Sequence, residues 1–261
     1  APDGRRHQTK SLKSGQWQRV RLWADTDYRP DFLDLAIVVD TTGSMADEIA
    51  FLNKELIGIT RAAARNVPGL SVRYGLVAYR DNGDLYVVRN SGFTTKPDDM
   101  TRRLRALSAN GGGDYPEAAA AAMAAGVDLN WRRGNGKRVL LHVADAPPHR
   151  ADAGTYLKAA RAAASKDIKI YTLGASGVAR DSEFLMRQAS AAPGGRYVFL
   201  TDDSGVGHPH AEPTVSCYRV TKLAGLLTRI LESELTGKRQ EAKPGQVQRE
   251  VGTYRNGLCL D

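Results

Sequence analysis

The chain has 261 residues, enough for one large α/β domain with flanks or for two small domains, and enough to bury a sizeable core. It contains no run of 18 apolar residues, so no segment is predicted to cross a membrane as a helix. The net charge of +8 sits mostly at the ends, about +4 in residues 1–30 and +2 in 236–261, which favours solvated polar flanks over a nucleic-acid or anionic-surface role.

Residues 1–30 read as a basic arm with Leu12, Trp17, Val20, Leu22 and Trp23 as apolar anchors. From residue 31 onward strands and helices alternate. Residues 33–39 form a continuous apolar strand ending on Asp40. Residues 46–66 follow as a helix, with Ile49, Leu52, Leu56, Ile59 and Ala63 three and four apart. Residues 72–79 form the next strand, and 85–93 pair beside it as a hairpin across Asp81-Asn82-Gly83. Residues 97–107 are helical behind an N-terminal proline, and 116–129 form an alanine-rich helix opened by a glycine loop. A strand over 138–144 runs into Asp145. Helices over 153–165 and 181–191, strands over 168–173 and 196–200, and an amphipathic helix over 218–235 complete the pattern. The alternation predicts a doubly wound α/β fold, a mostly parallel sheet with helices on both faces. Such sheets bind ligands at the C-terminal ends of their strands. The segments are thus an arm (1–30), an α/β domain (31–235) and an irregular tail (236–261).

Cys217 and Cys259 lie in no CxxC pair, which argues against structural zinc. They are either two buried thiols or one disulfide that ties the tail to the domain. The sparse anchoring of the tail favours the disulfide, and with it an oxidising compartment. The chain begins Ala-Pro-Asp-Gly without Met, as expected of a trimmed chain or of a mature form after signal-peptide removal.

Three strand-end loops concentrate acid and hydroxyl groups: Asp40-Thr41-Thr42-Gly43-Ser44, Gly111-Gly112-Gly113-Asp114-Tyr115-Pro116-Glu117, and Asp145-Ala146-Pro147-Pro148-His149. Each alone could be a helix cap or a turn, Asp114 with Glu117 being spaced like a capping box. Together they mean more. A parallel sheet brings its strand tips side by side, and convergent carboxylates repel unless a cation lies between them. Hard cations such as Mg²⁺, Mn²⁺ and Ca²⁺ take oxygen ligands of this kind.

The first loop resembles the Asp-x-Ser-x-Ser pattern of the metal-ion-dependent adhesion site in von Willebrand factor type A domains, with Thr42 in the middle serine's place. The Gly-Gly-Asp-Tyr-Pro-Glu loop is similar to the variant of bacterial members and integrin β-subunits, and Val-Ala-Asp-Ala-Pro-Pro-His to the family's third loop. The resemblance covers about residues 31–235. It implies that Asp40, Thr42, Ser44, Glu117 and Asp145 hold one divalent cation, Mg²⁺ first and Mn²⁺ or Ca²⁺ as alternatives. That ion would accept an Asp or Glu of a protein partner, a non-enzymatic adhesion role in a periplasmic or secreted setting. Asp47 and Glu48 match the positions of an adjacent ion in integrin β-subunits, and also suit a helix first turn. Asp114 matches a further neighbouring site, but Gly112 stands where that site has a side-chain ligand. Family members are similar in shifting the last helix on ligand binding, here 218–235.

Three rival readings use other residues. A hydrolase or phosphoryl-transfer enzyme would use the same acidic site with His149 as base, but no Walker loop, GxSxG or activated nucleophile is present. A zinc site would join His208, His210 and Cys217. A nucleic-acid module would rest on Trp17, Arg19, Arg21 and Trp23.

Overall fold

The computed structural model of the protein describes residues 29–175, 177–207, 210–255 and 258–260. The proposed arm up to Tyr28, with Trp17, Arg19, Arg21 and Trp23, lies outside the described residues, as does His208. Six strands form the central sheet: β1 (Phe32–Asp40), β2 (Ser71–Tyr79), β3 (Val88–Thr94), β4 (Gly136–Ala144), β5 (Ile168–Gly174) and β6 (Tyr197–Phe199). Their order is β3-β2-β1-β4-β5-β6, parallel throughout except for the antiparallel edge strand β3. This is the expected doubly wound α/β fold. Strand order reverses between β1 and β4, so the tips of those two strands, Asp40 and Asp145, lie at the switch point.

Helices α1 (Ala46–Ala64), α2 (Pro97–Arg105) and α6 (Leu223–Thr236) cover one face. There Leu52, Leu56, Met100, Leu227 and Ile230 pack on Leu35, Ile37 and Leu141. Helices α3 (Ala119–Val127), α4 (Ala153–Ser165) and α5 (Arg180–Ala191) cover the other, where Met123, Tyr156, Ala160 and Met186 meet Val38, Leu140 and Ala144. The small residues of α3 let it lie close to the sheet. At Gly126 a Cβ would come within 2.6 Å of Val38 Cγ2, so only glycine fits there.

Beneath the sheet, Asp34 is fully buried and takes Arg73 Nη2 at 2.6 Å, Arg132 Nε at 2.8 Å and the Arg132 backbone N–H at 2.8 Å. Burial alone would raise this carboxyl, but the Arg73 and Arg132 hydrogen bonds outweigh it and hold it below the ordinary range. Inside the α3–α4 face, His142 bridges two buried tyrosines, with Nε2 at 3.0 Å from Tyr79 Oη and Nδ1 at 2.9 Å from Tyr156 Oη. Burial pushes its imidazole down to about 3.

Four segments differ from the sequence reading. Strand β3 starts at Val88, so residues 80–87 are a long loop rather than a tight hairpin. Helix α3 starts at Ala119 because the preceding residues are drawn sideways, where Glu117 pairs with Pro148. The expected helix over 218–235 is a strand, β7 (Tyr218–Thr221), followed by α6. Tail residues supply its partner: β8 (Val247–Val251) pairs antiparallel with β7, and β9 (Tyr254–Arg255) with β10 (Leu258–Cys259). A disulfide joins Cys217 to Cys259 with Cα atoms 5.8 Å apart. The tail is therefore built structure, not irregular chain.

Two outcomes test this frame. Asp34→Ala leaves two guanidinium groups without their carboxylate and costs about 3 kcal/mol, read as a lower urea midpoint at pH 7. His142, with a native pKa far below its unfolded value of 6.5, contributes stability that is complete above pH 6.5 and lost as pH falls towards 3. The slope approaches about 1.4 kcal/mol per pH unit. His142→Gln flattens the urea-midpoint profile between pH 6 and 4.

Candidate metal centre

Strand β1 delivers Asp40 to the sheet's upper edge, fully buried. The chain then turns so that the Thr42 N–H and hydroxyl both donate to Asp40 Oδ1 at 2.8 Å. Asp40 Oδ2 is buried and has no hydrogen-bond partner. The next residue, Thr41, donates its hydroxyl to the Tyr79 carbonyl at 2.7 Å and lies 2.6 Å from Tyr86 Oη. A short 3-10 turn (Gly43–Met45) carries Ser44 into the start of α1.

The glycine loop docks onto the first loop through Gly43 N to Gly111 O at 3.2 Å and Asn110 N to Thr41 O at 3.0 Å. Gly111 and Gly112 adopt φ of 82° and 77°, the left-handed region that glycine enters without strain. At Gly112 a Cβ would lie 2.9 Å from Glu117 Oε1 and 3.1 Å from Thr42 Cβ, so the bare glycine makes room for both side chains. The Glu117 backbone N–H donates to Pro147 O at 2.9 Å, which ties the second loop to the third. Glu117 is 3 % exposed, and its Oε2, like Asp40 Oδ2, is buried without a partner. On the third loop the Asp145 carboxyl takes a hydrogen bond from the Ser44 side chain. Its carbonyl accepts from Tyr115 Oη at 3.2 Å.

Electrostatics link these carboxyls. Burial pushes Asp40 up to about 7, against the Thr42 hydrogen bond and with the Asp145 charge adding to the rise. Burial also pushes Glu117 up to about 9, reinforced by Asp40, Asp81, Asp84 and Asp145. Asp145 is raised by burial, opposed by Ser44 and helped by Glu48. The structure thus brings Asp40, Thr42, Ser44, Glu117 and Asp145 into one connected cluster.

Asp47 and Asp114 are exposed, and the Asp114 charge bears on His149. Glu48 is buried near His210, Oε1 to Nε2 at 3.8 Å, and His210 in turn meets Asp202. His149 lies 2.5 Å from Asp81 Oδ1, not on Asp145. The disulfide removes Cys217 from the zinc reading, because a bonded sulfur is no thiolate ligand. Among the described residues no group of three or more His, Cys, Asp or Glu is gathered to hold an ion by itself.

Missing from the sequence reading was the β2–β3 loop. Asp84 Oδ2 accepts the Gly112 N–H at 3.0 Å and the Asp81 N–H at 3.1 Å, and Arg80 O accepts the Ala118 N–H at 3.2 Å. The signal was available, since Asp81 and Asp84 follow the end of a strand as Asp40 and Asp145 do.

A doubly wound sheet with oxygen-rich loops gathered at its switch point defines the class of the domain, α/β with an acidic strand-end cluster. The chain belongs to the von Willebrand factor A domain family, whose model matches residues 34–206. It is similar to a putative ariadne-like RING finger protein of Acanthamoeba polyphaga mimivirus, at 35 % identity over 45 % of this chain and 11 % of that protein. It is also similar to alpha-protein kinase vwkA of Dictyostelium discoideum, at 31 % identity over 51 % of this chain and 21 % of that one. The chain therefore spans only a small part of either relative. Among solved structures, the open conformation of the pilus adhesin SpaC from Lactobacillus rhamnosus GG shares the fold. Its TM-score is 0.52 at 13 % identity, over 81 % of this chain and 30 % of that one.

Glu117→Gln tests the repulsion. With metal chelated, a Glu whose native pKa lies above its unfolded value costs stability at any pH above about 4.5, increasingly towards 9. The variant is more stable than wild type at pH 8 under chelation, by about 1–3 kcal/mol in urea unfolding.

Proposed function

We propose that this protein is a non-enzymatic, divalent-metal-dependent protein-binding domain. A cation held by Asp40, Thr42, Ser44, Glu117 and Asp145 would accept an Asp or Glu side chain from a partner protein. The observation that carries this reading is the pair of buried carboxylate oxygens without hydrogen bonds, Asp40 Oδ2 and Glu117 Oε2, among carboxyls that repel one another. A hard divalent cation supplies both the missing partner and the missing charge. Mg²⁺ suits hydroxyl, carboxylate and water donors, with Mn²⁺ or Ca²⁺ as alternatives.

Thr42 and Ser44 would bind the ion through their hydroxyls, Asp40 directly or through water, Glu117 from the second loop and Asp145 through water. So few direct carboxylates leave positive charge on the ion, which a partner's carboxylate answers. The surrounding surface suits a protein partner. Leu85 (79 % exposed) and Tyr115 (42 %) sit on the loops that carry Asp84 and Glu117 and offer apolar contact beside the acid site. The disulfide fits a periplasmic or extracellular setting. Among the described residues no helix is long and apolar enough to cross a membrane. The rival hydrolase or phosphoryl-transfer reading would use His149 as a base at the ion, and that imidazole is engaged by Asp81.

The test is a thermal melt after chelation, titrated with Mg²⁺, Mn²⁺ and Ca²⁺, on wild type and Asp40→Ala. An ion that binds only the folded protein stabilises it by about 2.7 kcal/mol at a hundred times its Kd. The expected result is a saturable upward shift in wild type that is absent in Asp40→Ala. No shift in wild type with any of the three ions sinks the metal reading.

A further inference from the structure

Glu117 lies two residues before α3, outside the central sheet, so the loops around it decide where its side chain stands. Two backbone contacts hold it from different sides. Its own N–H donates to Pro147 O at 2.9 Å, which ties it to the third loop. The next N–H, of Ala118, donates to Arg80 O at 3.2 Å, which ties it to the β2–β3 loop. Those two loops also meet each other. One residue past Arg80 and two past Pro147, Asp81 Oδ1 lies 2.5 Å from His149 Nε2. A carboxylate only accepts, so the imidazole N–H is the donor. The three contacts close a ring: Glu117–Ala118, Pro147–His149, Arg80–Asp81 and back.

The sequence explains why a side chain completes this ring. Pro147 and Pro148 have no N–H, so beside Glu117 the third loop accepts a backbone hydrogen bond and gives none. The His149 imidazole supplies the donor that the prolines lack. Its acceptor is fixed in turn. Asp81 is buried, and its N–H donates to Asp84 Oδ2 at 3.1 Å, the same oxygen that takes the Gly112 N–H at 3.0 Å. The acceptor is therefore anchored to the glycine loop, on the chain leading into Glu117.

We propose that the His149–Asp81 pair closes this ring and thereby fixes where the Glu117 carboxylate stands, making His149 and Asp81 positioning residues for the proposed cation site. With the pair broken, the third loop and the β2–β3 loop part, each drawing on its own end of the Glu117–Ala118 backbone. For its effect on an ion, this inference rests on the metal reading above. Outer partners that orient ligands typically cost about 10–100-fold in metal affinity when lost.

The experiment has two arms on the full chain, with wild type, His149→Ala, Asp81→Ala and His149→Gln each checked for cooperative urea unfolding. The first arm reads amide hydrogen exchange by NMR under chelation. The Glu117 and Ala118 amides are expected to exchange about tenfold faster in both alanine variants, with the amides of β4 unchanged, as one lost hydrogen bond eases a local opening. Unchanged exchange at Glu117 and Ala118, or an equal rise in β4, overturns the ring whatever any ion does. The second arm measures Mg²⁺ affinity by calorimetry. Both alanine variants are expected to bind about tenfold more weakly or worse, while His149→Gln, which keeps a terminal N–H donor without a charge, stays within about threefold of wild type. A folded His149→Ala or Asp81→Ala that binds Mg²⁺ as wild type does overturns the positioning role, and so does a His149→Gln as weak as His149→Ala. If wild type itself binds no ion, the metal reading fails, while the exchange arm still decides whether the pair holds Glu117.

Discussion

The mutual repulsion of buried carboxylates at the tips of a parallel sheet is the constraint on which the upper half of this molecule depends. Strand order fixes it. Because β1 and β4 are neighbours and the chain winds outward from them in both directions, Asp40 and Asp145 end side by side. The second loop then folds Glu117 over them through its pairing with Pro148. Three acids withdrawn from water in this way cannot all stay ionised without help. The hydroxyls of Thr42 and Ser44 relieve Asp40 and Asp145 in part, but Glu117 Oε2 is left without any donor. A fold selected only for stability would place apolar side chains at such a junction. Tolerating this cost is what supports the proposed cation site at the strand tips.

The surrounding loops keep that arrangement from relaxing. Asp84 grips the Gly112 N–H, Tyr86 reaches Thr41, and Arg80 both donates to Ser108 O at 2.8 Å and stacks 4.8 Å above the Tyr86 ring. These bonds pin the first and second loops to the β2–β3 loop. The carboxylates therefore cannot swing apart to escape one another. Asp84 is half-buried and held low by the Gly112 and Asp81 N–H groups, so it serves as an anion that anchors backbone rather than as part of the buried cluster.

The sheet and its helices were legible in the sequence because their signals are local: the apolar run before Asp40, the three-and-four spacing of α1, the alanines of α3. The strand tips were legible because acid and hydroxyl residues directly follow those runs. Residues 218–221 were not legible as a strand. Their apolar spacing continues smoothly into α6, and the strand that extends them, β8, begins at Val247, beyond the helix. Pairing at that separation leaves no mark in a local window, and the alternation in Val247–Val251 is too short to stand alone. The β2–β3 loop was misread for a related reason. Asp81-Asn82-Gly83 carries the chemistry of a tight turn, whereas Asp84 is recruited by Gly112, 28 residues away.

The tail changes how the last helix must be viewed. Helix α6 lies within a covalent loop closed by Cys217 and Cys259, with β7 before it and β8 after it paired to each other. Arg249 of β8 reaches Asp203 at 2.7 Å, and the adjacent Asp202 holds His210, which lies against Glu48 at the start of α1. A sliding α6 would have to strain that disulfide-bound pair of strands or carry it along, and carrying it pulls on Asp203. The same chain of contacts bears on Glu48. An ion beside the proposed site would have to draw that carboxylate away from the buried His210 imidazole, 3.8 Å away. Glu48 therefore serves first as a link between α1 and the loop leading to the tail.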